Sequence, residues 1–285
     1  MNTLQRIGAI ALCLSGLLAS SFTAAQQEVT YERLLNSQDE PENWLTYNGS
    51  YDGARHSALT QINRNNVQDL ELKWMLQNQV FGAWQSNPIV VDGVMYITQR
   101  PNDVIAMDPV TGRVFWVYKH TPAENARVCC GANNRGIAIL GDKVYMGTLD
   151  ARLIALDRIN GKPLWNIEVG DVNLAYSITM APLIVKDKVI VGVGGGEFGI
   201  RGYVVAYDAD TGEEAWKFYT IPAPGEPNHD SWEGDDWEHG GAPVWITGSF
   251  DPALNLTYWG VGNPGPDWNP GQRPGDNLYS DSVIA

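Results

Sequence analysis

Short apolar runs cut by turn signals of two or three residues recur along the central part of the chain. Residues 89–91 and 94–96 flank Asp92-Gly93, residues 139–140 and 144–145 flank Gly141-Asp142-Lys143, and residues 183–185 and 189–190 flank Lys186-Asp187-Lys188. Turn residues between β-branched runs are hairpin signals. Each hairpin leads into a further strand ending on an Asp-led turn and then a strand carrying Trp. Ala106-Met107-Asp108 precedes Gly112 and Trp116, Ala155-Leu156-Asp157 precedes Gly161 and Trp165, and Ala206-Tyr207-Asp208 precedes Gly212 and Trp216. The tryptophans are 49 and then 51 residues apart. These short alternating runs leave no room for a helix of about ten residues. A period near 50 in an all-β chain predicts propeller blades or a related solenoid. The repeated tryptophans are expected to pack between blades, where a large aromatic buries most area.

The repeat is interrupted twice. From Ala206 to Ala285 the spacing is 79 residues, so the last unit carries an insertion, which in repeat proteins forms loops on one face. Residues 282–285 match 103–106 and 152–155, which run on into an Asp turn and a Trp. The expectation is therefore about four blades of a larger propeller. The 30 Gly, 16 Pro, 11 Trp and 12 Tyr agree with a β chain rich in turns.

Residues 1–25 read as an export signal. Arg6 is their only charge, an apolar stretch follows, and Thr23-Ala24-Ala25 offers small residues for cleavage. The domain division is then a signal peptide over 1–25, cleaved near Ala25, and part of a β-propeller over 26–285. No stretch reaches the ~18 apolar residues of a membrane span. The chain is acidic, with 19 Lys+Arg against 33 Asp+Glu and a net charge of −14, which argues against nucleic acid or anionic lipid as partners.

Export bears on Cys129 and Cys130, adjacent in the chain. In an oxidising compartment the two thiols can pair. Neighbouring Cα atoms stand about 3.8 Å apart, below the roughly 4.4–6.8 Å of ordinary disulfides, so a bridge here would be strained. Two reduced core cysteines are the alternative.

Two loops carry further candidate chemistry. Gly194, Gly196 and Gly199 satisfy G-x-G-x-x-G, but a strand-like run follows where a dinucleotide site needs a helix, so that reading is rejected. Gly194-Gly195-Gly196-Glu197 either lets a flat ligand approach the backbone beside a carboxylate or is a plain bend with a solvated Glu. In Gly262-Asn263-Pro264-Gly265-Pro266-Asp267-Trp268, Asn263 offers an amide oxygen. Together with Glu197 it could bind a hard cation such as calcium. Asp208-Ala209-Asp210-Thr211-Gly212 coincides with the repeat turn and is read as structural. His56, His120, His229 and His239 have no metal-ligand spacing.

Taken in order, Cys-Cys-Gly-x-x-Asn-Arg, Gly-Gly-Gly-Glu-Phe-Gly-x-Arg-Gly, Gly-Gly-Ala-Pro-x-Trp and Gly-Asn-Pro-Gly-Pro-Asp-Trp resemble the pyrroloquinoline quinone (PQQ)-dependent alcohol dehydrogenases. The opening around Trp44, Tyr47, Asn48 and Gly49 is similar too. The resemblance implies an eight-bladed β-propeller of the quinoprotein alcohol dehydrogenase type, with only about four blades present. It implies that Cys129 and Cys130 form a vicinal disulfide over one face of PQQ and that Trp245 stacks on the other. Arg135 would bond a PQQ carboxylate, Ser177 and Thr179 would donate hydroxyls, and Gly194, Gly195 and Gly196 would form the tight loop beside the ring. Gln85 stands where relatives carry Glu near PQQ. Glu197 and Asn263 would be ligands of Ca2+ or a lanthanide.

The implied activity is a periplasmic quinoprotein dehydrogenase that oxidises primary alcohols to aldehydes by hydride transfer to PQQ and passes electrons to a c-type cytochrome. Peripheral membrane association is compatible with it. The family's catalytic base, an aspartate, would fall beyond residue 285, so these residues alone are expected to be inactive. Haem c would belong to a further C-terminal part, since no Cys-x-x-Cys-His occurs here. The alternative is a non-catalytic exported propeller scaffold of the kind that assists outer-membrane protein assembly.

Overall fold

The computed structural model describes residues 27–78 and 80–285; the expected leader lies outside the described residues. Three four-stranded antiparallel sheets follow one another as meanders. The first holds β1 (Ile89–Val91), β2 (Val94–Gln99), β3 (Asp103–Met107) and β4 (Val114–Lys119). The second holds β5 (Ala138–Leu140), β6 (Lys143–Gly147), β7 (Arg152–Asp157) and β8 (Pro163–Glu168). The third holds β9 (Leu183–Val185), β10 (Lys188–Gly192), β11 (Tyr203–Asp208) and β12 (Glu214–Tyr219). A three-stranded sheet of β13 (Ser249–Asp251), β14 (Leu256–Gly260) and β15 (Val283–Ile284) completes the set.

The repeat is built by its turns. Asp108 Oδ1 accepts from the backbone N–H of Val110 at 2.8 Å, Asp157 Oδ1 from Ile159 at 2.8 Å, and Asp208 Oδ1 from Asp210 at 3.0 Å. Asp251 repeats the arrangement with Ala253 at 2.8 Å. These are Asx turns, in which a side chain takes the place of a backbone acceptor. A register shift follows Ala106, Ala155 and Ala206 at the same point in each sheet. The structure thus bears out the structural reading of residues 208–212.

The tryptophans join one sheet to the next. Trp116 Nε1 donates to the Arg158 carbonyl at 3.1 Å, and Trp165 Nε1 to that of Ala209 at 3.3 Å. Each ring also covers the next unit's turn glycine. A Cβ on Gly161 would come within 2.5 Å of Trp116, and one on Gly212 within 3.3 Å of Trp165. Trp74, outside the repeat read from sequence, treats the first unit likewise: its Nε1 bonds the Pro109 carbonyl at 2.9 Å and its ring lies against Gly112.

The third strands β3, β7 and β11 are almost wholly buried, whereas β4, β8 and β12 have only exposed and half-buried positions. The outer strands are therefore the fourth of each sheet. The N-terminal segment, with helix α1 (Tyr31–Leu35), ties the sheets together. Trp44 pairs with Val90, Val29 with Gly141, and the Tyr51 hydroxyl donates to the Ile184 carbonyl at 2.7 Å. Among the described residues no helix is long and apolar enough to cross a membrane.

Candidate functional site

Equivalent loops of successive sheets converge on one cavity. Arg135 precedes β5, Ser177 and Thr179 precede β9, and Trp245 precedes β13, so all four lead into the first strand of a sheet. Gly194, Gly195 and Glu197 follow β10, and Asn263 follows β14, the second strand of its sheet. Together with Cys129, Cys130, Asn133 and Pro243 these residues line a cavity of about 200 Å³. Backbone bonds hold the loops in step. Asn87 N donates to Arg135 O at 3.0 Å, Arg135 N to Thr179 O at 3.1 Å, and Val244 N to Val193 O at 2.9 Å. Ser177 and Gly194 exchange both of their backbone bonds. Larger clefts, such as one of about 540 Å³ beside Tyr51 and Phe250, are open surface grooves that contain none of the candidate site residues singled out from sequence.

Cys129 and Cys130 are joined by a disulfide, with Cα atoms 3.8 Å apart. Of the two states open from sequence, the structure has the bridge. Its loop is braced from both sides: Asn133 Nδ2 donates to the Cys130 carbonyl at 2.9 Å, and Arg100 Nε to that of Ala132 at 3.1 Å. The two sulfurs and a Glu197 carboxylate oxygen lie within 4.8 Å of one another. Paired sulfurs are not thiolate donors, so this cluster is not a sulfur-ligated metal centre.

Arg135 is half-buried and makes no ion pair among the described residues. Its Nη1 donates to the Thr179 hydroxyl at 2.7 Å, and its guanidinium lies 5.0 Å from the centre of the Trp245 ring. Burial pushes its pKa below the usual guanidinium value. A desolvated cation on a cavity wall is stabilised by an anionic ligand, and a carboxylate matches its fork geometry.

Glu197 and Asn263 bring oxygens to the lining. Glu197 is exposed to the cavity and makes no side-chain hydrogen bond among the described residues. Asn263 donates its amide N–H to Asp267 and to the Pro264 carbonyl, which leaves Oδ1 as the free pole of the amide. A carboxylate and an amide oxygen suit hard cations such as calcium. Beside them the glycine loop is tightly packed. A Cβ on Gly195, whose φ is +119°, would stand 2.3 Å from the Ala175 carbonyl, and one on Gly194 would stand 3.0 Å from Ser177 Oγ.

The PQQ family, described as the glucose/ethanol/alcohol dehydrogenase β-propeller domain, matches residues 44–285. The chain belongs to this family. It is 42% identical to quinohemoprotein alcohol dehydrogenase ADH IIB of Pseudomonas putida over 98% of its own length and 42% of the relative's. It is 39% identical to the lanthanide-dependent methanol dehydrogenase of Methylacidiphilum fumariolicum, covering 89% of this chain and 45% of that one. The solved quinohemoprotein alcohol dehydrogenase ADHIIG of Pseudomonas putida HK5 superposes with a TM-score of 0.85 at 40% identity, covering 91% of this chain and 40% of that one. The chain spans less than half the length of these PQQ dehydrogenase relatives.

Within this PQQ dehydrogenase fold most residues singled out from sequence meet in one place. Cys129, Cys130, Arg135, Ser177, Thr179, Gly194, Gly195, Glu197, Trp245 and Asn263 all line the cavity. Gln85 and Gly196 do not. Gln85 is exposed ahead of β1, while Gly196 is buried with its α-carbon against the Pro243 ring, where a Cβ would stand 2.8 Å away. Gly196 opens a single 3-10 turn over Gly196–Phe198 and a strand follows, which agrees with rejecting the dinucleotide reading. Sequence reasoning missed Asn133 and Pro243 as lining residues and Asp267 as the partner of Asn263. Asn133 falls on an unspecified position of the cysteine motif, so only its nearness to Cys130 and Arg135 was available as a signal.

Proposed function

We propose that this chain carries the cofactor and metal site of a PQQ-dependent dehydrogenase that oxidises primary alcohols to aldehydes in the periplasm, with a c-type cytochrome as electron acceptor. The observation that carries it is Arg135: a half-buried guanidinium without an acidic partner, set on the wall of a cavity that also holds a vicinal disulfide and an exposed indole. A planar cofactor bearing carboxylates meets all three needs. Arg135 pairs with one of its carboxylates and Thr179 orients the guanidinium. The disulfide and Trp245 supply apolar surfaces for a flat ring and exclude water from it. Gly194 and Gly195 keep side chains off the floor.

Glu197 and Asn263 hold Ca2+ or a lanthanide through oxygen. Bound there, PQQ supplies hydride acceptance from the alcohol carbon, with the cation polarising its carbonyl. The names of the relatives, alcohol and lanthanide-dependent methanol dehydrogenases, support the same chemistry. Gln85 lies outside the lining, so a contact with the cofactor rests on the family resemblance alone; Gln85→Glu is expected to change PQQ affinity. No residue within 27–285 is assigned as the proton-abstracting base. No feature of the cavity favours the scaffold alternative.

The test is reconstitution with PQQ and Ca2+, or PQQ and a lanthanide, of a protein that joins these residues to the base-bearing part expected of the family, followed by dye-linked oxidation of ethanol. Activity that needs both PQQ and the cation is expected. Full-length protein that binds PQQ and cation but oxidises no primary alcohol would overturn the substrate class.

A further inference from the structure

An asparagine amide is nearly symmetric in shape but not in chemistry. Its oxygen can coordinate a cation and its NH2 cannot, so a ligand asparagine needs a neighbour that decides which end faces the ion. In this chain the backbone of Asn263 is fixed by Ala242 N, which donates to its carbonyl at 3.0 Å, and by Gly265 N, which donates to Gly240 O at 2.8 Å. Those bonds place the side chain at the cavity but leave its amide free to turn over.

The deciding contact comes four residues later. Asp267 Oδ1 accepts from Asn263 Nδ2 at 2.6 Å, and the Pro264 carbonyl accepts from the same nitrogen at 3.3 Å. Both partners are acceptors only, since an ionised carboxylate has no proton to give. The reverse orientation would set the amide oxygen against two oxygens, so the NH2 must face Asp267 and the Oδ1 is turned away from it. Among the described residues no donor reaches Asn263 Oδ1, and Asp267 makes no other side-chain hydrogen bond. Asp267 itself is not part of the cavity lining.

We infer that Asp267 is a positioning residue for the cation site: it holds the Asn263 amide with its oxygen presented to the ion. This rests on the reading of Glu197 and Asn263 as cation ligands. Outer partners of this kind typically set metal affinity by about 10–100-fold.

The experiment is a calcium titration of the PQQ-loaded full chain, read by displacement of terbium luminescence, with PQQ absorbance followed separately. Asp267→Ala is expected to weaken calcium binding tenfold or more, and Asp267→Asn, which still offers an acceptor oxygen, to stay within threefold of wild type. Asp267→Ser serves in place of the alanine variant if that one does not fold. In an Asn263→Asp background the amide orientation no longer matters, so adding Asp267→Ala is expected to change affinity by less than threefold. Such non-additivity is what a shared contact produces and an independent structural effect does not.

Unchanged affinity in Asp267→Ala, or equal losses in Asp267→Asn and Asp267→Ala, would overturn the inference. Glu197→Gln separates the two levels. If it leaves calcium binding intact, the ligand reading itself fails; if it weakens binding while Asp267→Ala does not, only the role of Asp267 fails.

Discussion

Arg135 costs free energy where it sits, because burial disfavours its charge and, among the described residues, no carboxylate comes within ion-pair distance to offset that. Its protein contacts, the Thr179 hydroxyl and carbonyl and the face of Trp245, orient the guanidinium without neutralising it. A ligand carboxylate would supply a charge-assisted, two-point bond worth about 1.5–3 kcal/mol, on the order of 10–100-fold in affinity. Arg135→Ala is therefore expected to raise the PQQ dissociation constant by about that factor. Arg135→Lys should recover only part of the loss, because a point charge cannot form the fork. Equilibrium dialysis of PQQ against both variants checks this, and equal affinities for wild type and Arg135→Ala would remove the anion-binding role.

Asp150 gives a residue-scale prediction outside the cavity. It is buried, which raises its pKa. Bonds from His120 Nε2 at 2.9 Å, the Thr148 hydroxyl at 2.6 Å and Ala123 N at 3.2 Å outweigh that and hold the carboxyl at about 2. A carboxyl depressed on folding adds stability that is complete above its unfolded pKa of about 3.9 and is lost as pH falls through the folded value. The depression corresponds to about 2 kcal/mol, present at pH 5–7 and lost between pH 4 and 2. The stability gap between wild type and Asp150→Asn, from urea melts, should shrink across that window. A gap unchanged from pH 6 to pH 2 would show that the Asp150 charge contributes nothing.

At the scale of the element, the unit of construction is an indole laid over the turn glycine of the next sheet. Gly161, at φ +70°, meets Trp116 at 2.5 Å when given a Cβ, whereas Gly93, at φ +75°, meets nothing within 4 Å. Both substitutions to alanine carry the left-handed backbone penalty, of roughly 1 kcal/mol. Only Gly161→Ala adds overpacking, typically about 1–3 kcal/mol. Gly161→Ala should therefore unfold at clearly lower urea than Gly93→Ala; matching midpoints would mean that the Trp116 contact is slack.

This element was legible in sequence because three copies exposed its period: Ala-x-Asp, Gly and Trp recur together only where a strand, an Asx turn and an inter-sheet indole are all required. Trp74 plays the same part but lacks the preceding Asp turn, so spacing alone could not find it. The cavity was legible as motifs, since vicinal cysteines and a triple glycine serve few purposes elsewhere. Asn133, Pro243 and Asp267 lie in or beside the same motifs, but a motif does not say which of its side chains reaches the cavity and which bonds a neighbour; the folded loops do. Gln85 shows the converse, a matching position whose side chain lies outside the lining.

For the whole molecule, repetition explains the placement of the site. Arg135, Thr179 and Trp245 each lead into the first strand of a sheet, and Glu197 and Asn263 each follow a second strand. Repeating one meander around an axis brings such positions to one end without any loop having to travel far. The fold thus gathers a half-buried guanidinium, a disulfide, an indole and two oxygen donors from short loops on rigid strands. The central claim is that this end holds PQQ. The most direct measurement is quenching of tryptophan fluorescence on titrating PQQ into the full chain with Ca2+ or a lanthanide present, repeated with Trp245→Ala and Arg135→Ala. The account predicts saturable one-site quenching that weakens at least tenfold in both variants. Absence of saturable quenching, or variants that bind as tightly as wild type, would contradict it.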